Sequence, residues 1–135
     1  MTVFVDTSAL IAFLDAEDPA HGVCREGWRQ AVLEAEGLVT TDYVLVEAVA
    51  VAQRRWGLEA ARTLVDEYLP LIEVGSVSPE DRVAALGTLF TAGRRHLSLV
   101  DCVSFTVMRR LGIREYLGID PHFEELGFTR HAAGG

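Results

Sequence analysis

Four acidic side chains, Asp6, Glu47, Asp101 and Asp120, sit inside or against apolar runs where acids are not expected. The runs are Val3-Phe4-Val5-Asp6-Thr7-Ser8-Ala9-Leu10, Val44-Leu45-Val46-Glu47-Ala48-Val49, Leu97-Ser98-Leu99-Val100-Asp101-Cys102-Val103 and Tyr116-Leu117-Gly118-Ile119-Asp120-Pro121. A buried carboxylate is costly unless it is paired, hydrogen-bonded or bound to a metal. Four such costs in one small chain imply a shared purpose. The simplest is a cage of hard oxygen ligands for Mg²⁺ or Mn²⁺. Two carboxylates ~4 Å apart repel by roughly 4 kcal/mol at an effective dielectric near 20. Without a cation, at least one shared proton is therefore expected in the cluster.

Each acid also has a plainer structural reading. Asp6 precedes a helical pattern and is a favoured N-cap type. Asp101 follows Ser98 by three residues, the spacing of a capping box. Asp120 precedes Pro121, which suits a cap followed by proline at the first helical position. Capping and metal binding are compatible in one carboxylate. Glu47 fits no cap. The residues three and four positions away are Tyr43, Val44, Ala50 and Val51, so its helix face is not an ordinary solvated one. The structural alternative for Glu47 is a salt bridge to an arginine.

Short apolar strands alternate with helical patterns along the chain. Strands are expected at Val3–Val5, Leu38–Thr40, Leu71–Val74 and Tyr116–Ile119, with a small edge strand at Phe128-Thr129. Helices are expected from Ala9, from Ala20 to Glu36, from Thr40 or Thr41 to Trp56, and from Leu58 to Tyr68. Two more run from Ser78 to Ala92 and from Ser98 to Leu111, with a short turn after Pro121. This alternation predicts an α/β fold, a parallel sheet with helices on both faces. Ligands in such folds gather beyond the carboxyl ends of the strands. Asp6 and Asp120 each lie just past a strand, and Glu47 and Asp101 in the opening turns of helices, so all four can face one end of the sheet. A single domain over residues 1–129 is expected, with a frayed tail at 130–135.

The 135-residue chain is half hydrophobic, enough for a real core. No apolar stretch approaches the ~20 residues of a membrane span. No signal-peptide pattern opens the chain, so a cytoplasmic location is expected. Cys24 and Cys102 form no CxxC and are expected to be reduced. The net charge of −8 argues against loose nucleic-acid binding, though not against a nuclease with a local basic rim. All twelve cations are arginines. Arg54-Arg55, Arg94-Arg95 and Arg109-Arg110 stand near helix ends, where each pair suits the helix dipole. Arg94 and Arg95, closest in sequence to Asp101, are the weaker candidates for holding substrate phosphates. His21, His96, His122 and His131 lack the spacing of zinc ligands, and no glycine-rich phosphate loop is present.

At these residues the chain resembles the PIN-domain ribonucleases, in particular the VapC-like toxins of toxin–antitoxin pairs. Val5-Asp6-Thr7-Ser8-Ala9-Leu10 is similar to the family's first motif and Glu47 to its second. Leu97 to Phe105 resembles the third, and Ile119-Asp120-Pro121-His122-Phe123 the fourth. The resemblance spans nearly the whole chain in order, and it implies a PIN-like three-layer α/β/α fold with a mostly parallel sheet. Two departures stand out. The family often has Thr where this chain has Gly118, and a basic residue where it has Pro121. The resemblance implies a Mg²⁺-dependent endoribonuclease, with Mn²⁺ able to substitute, that restrains translation or growth. Asp6 and Asp101 would be direct ligands. Glu47 and Asp120 would bind directly or through water. Thr7 and Ser8 would orient Asp6. Partners implied are an RNA substrate, a cognate antitoxin protein and a second copy of the chain in a homodimer; no membrane is involved. Two other readings remain. A noncatalytic PIN-like binding module would not need all four acids. A Mg²⁺-dependent phosphotransfer domain normally uses a lysine, and this chain has none.

Overall fold

The structure is a computed structural model that describes residues 1–34 and 37–131. Five strands, β1 (Thr2–Val5), β2 (Gly37–Thr41), β3 (Glu73–Gly75), β4 (Glu115–Leu117) and β5 (Thr129–Arg130), form one sheet in the order β3-β2-β1-β4-β5. Every pairing is parallel, as Val3 opposite Leu38 on one side and opposite Glu115 on the other illustrates. Seven α-helices flank it among the described residues: α1 (Thr7–Leu14), α2 (His21–Leu33), α3 (Asp42–Trp56), α4 (Leu58–Thr63), α5 (Pro79–Ala92), α6 (Leu99–Leu111) and α7 (Pro121–Glu125). The expected α/β class and parallel sheet are what the chain adopts.

Both faces of the central strand are covered, whereas the edge strand β3 is exposed. Val3, Phe4 and Val5 of the central strand are fully buried, which explains an unbroken apolar triplet rather than alternation. One side of the core is aromatic. Phe123 stacks on Tyr116 at 4.5 Å and meets the Phe105 ring edge at 4.8 Å. A second cluster joins Phe13, Trp28 and Tyr68, with centroids 5.1–5.4 Å apart. Helix α2 lies close on the sheet, since a side-chain carbon at Gly27 would come within 2.8 Å of Leu117.

Several element ends differ from the sequence reading. The helix expected over Leu58–Tyr68 is α-helical only to Thr63. A wider turn follows at Leu64–Tyr68, then a tight 3₁₀ turn at Leu69–Leu71. Pro70, which has no N–H to extend a ladder, sits in that turn and delays β3 to Glu73. Strand β2 starts at Gly37, one residue before the expected Leu38; the helix expected to reach Glu36 is α-helical to Leu33, and Glu36 lies outside the described residues. Strand β5 begins one residue later than expected and includes Arg130, a residue expected in the tail. His131 also donates its N–H to the Tyr116 carbonyl. Residues 132–135 lie outside the described residues.

The topology decides where a site can form. From β1 the chain moves through α1 and α2 to β2, then to β3. It then crosses back by α5 and α6 to β4 on the opposite side of β1. The connections therefore diverge at β1 and β4, leaving a crevice beyond the carboxyl ends of these neighbours.

Candidate active site

The chain leaves β1 at Asp6 and β4 at Gly118, and the two exits are tied together. The Asp6 N–H donates to the Leu117 carbonyl at 3.0 Å. Ser8 completes the link: its hydroxyl donates to Asp6 Oδ2 at 2.6 Å and accepts the Ile119 N–H at 3.0 Å. Gly118 permits this approach, because a side-chain carbon there would fall 2.9 Å from Ser8 Oγ and 3.1 Å from Asp6 Cβ. The residue that departs from the family pattern is therefore fitted to a tight Asp6–Ser8 pair.

Three of the four acids are caps. Asp6 caps α1 by accepting the Ser8 N–H, and Asp120 caps α7 by accepting the His122 N–H at 2.9 Å. Ser98 and Asp101 form a reciprocal capping box on α6, at 3.0 and 3.2 Å. Glu47 has no capping role; α3 is capped by Thr41, whose hydroxyl accepts the Val44 N–H. All four nevertheless line one cleft of about 360 Å³, together with Thr7, Ser8 and Ser98. Capping and clustering coexist in these acids. Another groove of about 320 Å³, beside β2, β3 and α6, holds Glu73 and an Arg110 already bound to Asp81, so it brings no set of reactive groups together.

Crowding shows in the protonation of the acids. Asp6 is 2% exposed and its pKa is pushed up to about 7. Burial is the main cause, the Ser8 hydrogen bonds oppose it, and the charges of Asp101 and Asp120 add to it. The Asp101 carboxyl is also raised, first by burial and then by Asp120 and Glu47, against the stabilising contacts from Ser98. Asp6 Oδ1 is buried and has no hydrogen-bond partner among the described residues. A buried, unsatisfied carboxylate oxygen among other acids fits a cation. A carboxylate oxygen of Asp101, one of Asp120 and a ring nitrogen of His122 lie within 4.8 Å of one another.

Residues 3–128 match the PIN domain family. The chain belongs to the PIN-domain family. A relative from Mycobacterium tuberculosis, the 23S rRNA-specific endonuclease VapC20, is 32% identical over 128 residues, covering 94% of this chain and 95% of the relative. The crystal structure of M. tuberculosis VapC20, described as a Sarcin–Ricin loop cleaving toxin, superposes with a TM-score of 0.82 at 31% identity, over 94% of this chain and 96% of that one. VapBC2 from Rickettsia felis, solved bound to a DNA fragment from its promoter, shares the fold with a TM-score of 0.70 at 11% identity, covering 96% and 97%. The resemblance read from the motifs is borne out: this is a VapC-like PIN-domain protein, an enzyme of the nuclease class. Among the described residues, no helix is long and apolar enough to cross a membrane.

The remaining candidates are placed unequally. Thr7 lines the cleft, but its buried hydroxyl has no partner among the described residues. Arg94 is 2.8 Å from Glu125, and neither Arg94 nor Arg95 lines the cleft. Three lining or neighbouring residues were not singled out as site residues from the sequence. Arg55 and Asp18 line the cleft. The His122 Nδ1 lies 2.8 Å from Asp120 Oδ1, out of line for a hydrogen bond. Arg55 had a signal: it stands two helical turns after Glu47. His122 stands two residues after an acid, and Asp18, in a loop, had none.

Proposed function

We propose that this chain is a metal-dependent endoribonuclease, the toxin of a toxin–antitoxin pair, and that Asp6, Glu47, Asp101 and Asp120 form its active site. The observation that carries this reading is the convergence of four acids on one cleft, with Asp6 Oδ1 buried and unpaired. Asp6, Asp101 and Asp120 would hold Mg²⁺, with Glu47 across from them; Mn²⁺ would substitute. Carboxylate oxygens supply most of the donors, which favours these ions over zinc, although a His122 ring nitrogen stands within 4.8 Å of Asp101 and Asp120. When bound, the ion supplies a water of lowered pKa and balances charge on the scissile phosphate.

The chain's own groups do the rest. Ser8 holds Asp6 Oδ2, which leaves the unpaired Oδ1 as the oxygen that would ligate a cation. The His122 N–H and the start of α7 fix Asp120. Ser98 fixes Asp101. Glu47 carries no structural duty at a helix end, so its carboxylate is the one free to orient the attacking water and take its proton. Cleavage would leave a 5′-phosphate and a 3′-hydroxyl. Given the 23S rRNA target named for the M. tuberculosis relative, 23S rRNA is the proposed substrate class. A cognate antitoxin with a cationic segment suits the acidic cleft. Exposed Val46, Val83 and Phe90 supply apolar surface of the kind a homodimer buries.

The test is incubation of the purified, antitoxin-free protein with 23S rRNA in Mg²⁺, in Mn²⁺ and in EDTA. Cutting with either ion and none in EDTA is expected. Cutting that persists in EDTA, or intact RNA under both ions, would overturn the reading.

A further inference from the structure

The cleft that would receive a polyanion is lined by five acids, Asp6, Asp18, Glu47, Asp101 and Asp120, and among the described lining residues by one cation, Arg55. Its position follows from helix geometry. Glu47, Val51 and Arg55 succeed one another at intervals of four on α3, and all three line the cleft. Arg54 occupies the same last turn of α3 but does not line it. The two neighbours would serve the helix dipole alike; only one of them is aimed at the site.

Arg55 is also uncommitted. Arg29, Arg94, Arg110 and Arg130 each have a carboxylate within 4.0 Å. Arg55 has none among the described residues. Its contact is with the ring of its neighbour Trp56, 5.9 Å from the guanidinium carbon. Its backbone stands eight residues beyond Glu47, roughly 12 Å along the helix. The Arg55 residue is exposed and, among the described residues, no acid of the cleft pairs with it, so its guanidinium is open to a phosphate.

We infer that Arg55 is the substrate-positioning residue of this site, its guanidinium taking a backbone phosphate of the RNA that flanks the bond to be cut. The inference rests on the ribonuclease reading above. A phosphate held at the rim draws the strand across Glu47 and Asp101 and offsets the repulsion that the acidic floor exerts on RNA. The guanidinium fork offers two parallel N–H donors to a phosphate, a geometry a lysine cannot reproduce.

The experiment compares wild type, R55Q, R55K and R54Q on a hairpin RNA carrying the sarcin–ricin loop sequence of 23S rRNA, in Mg²⁺, over a range of salt. R55Q raises KM about tenfold with kcat nearly unchanged, the mark of a lost charge-assisted contact that is equal in ground and transition states. It also reduces the slope of log kcat/KM against log salt by about 0.7, the value for one single-strand phosphate contact. R55K recovers part of the loss, and R54Q behaves as wild type. A purely structural role at the helix end would move R54Q and R55Q together, and that result overturns the inference. Fluorescence anisotropy of the same hairpin separates the two levels of the argument. Hairpin bound but never cut, with whole 23S rRNA also left intact, sinks the nuclease reading, while the Arg55 contact is still read from the affinity of R55Q. Equal affinities for wild type and R55Q sink the inference itself.

Discussion

Replacing Asp6 by asparagine should stabilise the metal-free protein at alkaline pH while destroying the site. In the folded chain Asp6 titrates at about 7, against 3.8 for the unperturbed group. A carboxyl whose folded pKa is raised binds its proton more tightly when folded. Its contribution to stability is therefore present at low pH and is lost as pH rises from the unfolded to the folded pKa. Between pH 5 and pH 8 that loss is about 2–3 kcal/mol at 1.36 kcal/mol per unit. The asparagine side chain does not titrate, so the stability difference between variant and wild type should move by this amount in the variant's favour over the same interval. At pH 8 the absolute gain is smaller than the total linkage, because the new amide puts a buried donor where Asp6 Oδ1 has no partner, at a cost of about 1–3 kcal/mol. Urea unfolding of both proteins in EDTA at pH 5 and pH 8 measures the change, and taking the difference cancels the titrating groups that do not interact with Asp6. A difference that is the same at both pH values would refute the claim that Asp6 ionises against its burial. Excess Mg²⁺ should abolish the wild type's penalty at pH 8 and leave the variant unmoved.

Ser8→Ala removes the hydroxyl between Asp6 Oδ2 and the Ile119 N–H; thermal unfolding should show a loss of about 1–3 kcal/mol, and the rise of the pH–rate profile with pH should shift upward as Asp6 loses an opposing hydrogen bond. Gly118→Ala forces a carbon to within 3.1 Å of Asp6 Cβ, and denaturant unfolding should show it less stable by about 1–3 kcal/mol, with weakened Mn²⁺ binding by calorimetry. Arg110→Ala should cost about 1–2 kcal/mol, because it strands the buried Asp81 carboxylate, although the half-exposed guanidinium limits the loss. Asp81 is held below its ordinary pKa by Arg110, so the wild-type advantage should fade as pH falls through that lowered value.

Much of the site was legible because acids in apolar runs are expensive and because turn chemistry is local. Asp6, Ser98 and Asp120 announce helix starts by residue type alone, and the structure uses them as caps. The parallel sheet followed from apolar triplets separated by helical stretches. What escaped was set by partners distant in sequence. Arg94 looked suited to phosphate because it lies near Asp101 in the chain, but it is bound to Glu125, 31 residues away. Arg55 was grouped with Arg54 as a surface pair, since only the rotation of α3 about its axis separates them. Gly118 looked like a missing hydroxyl, and its meaning depends on how closely Ser8 and Asp6 approach across the β1–β4 boundary. The wide turn after Thr63 has no residue signature that distinguishes it from a continuing helix.

Glu47→Gln offers the most direct trial of the claim that the four acids act as one cutting site. Asp6, Asp101 and Asp120 each also cap a helix, so their variants confuse loss of chemistry with loss of fold; Glu47 has no such second role. Cleavage of 23S rRNA in Mg²⁺ by the wild type and this variant should be compared under single-turnover conditions, beside their melting temperatures. Glu47→Gln should cut about a hundredfold more slowly or worse, the scale of a lost general base, at an unchanged melting temperature. Wild-type cleavage by a folded Glu47→Gln protein would contradict it.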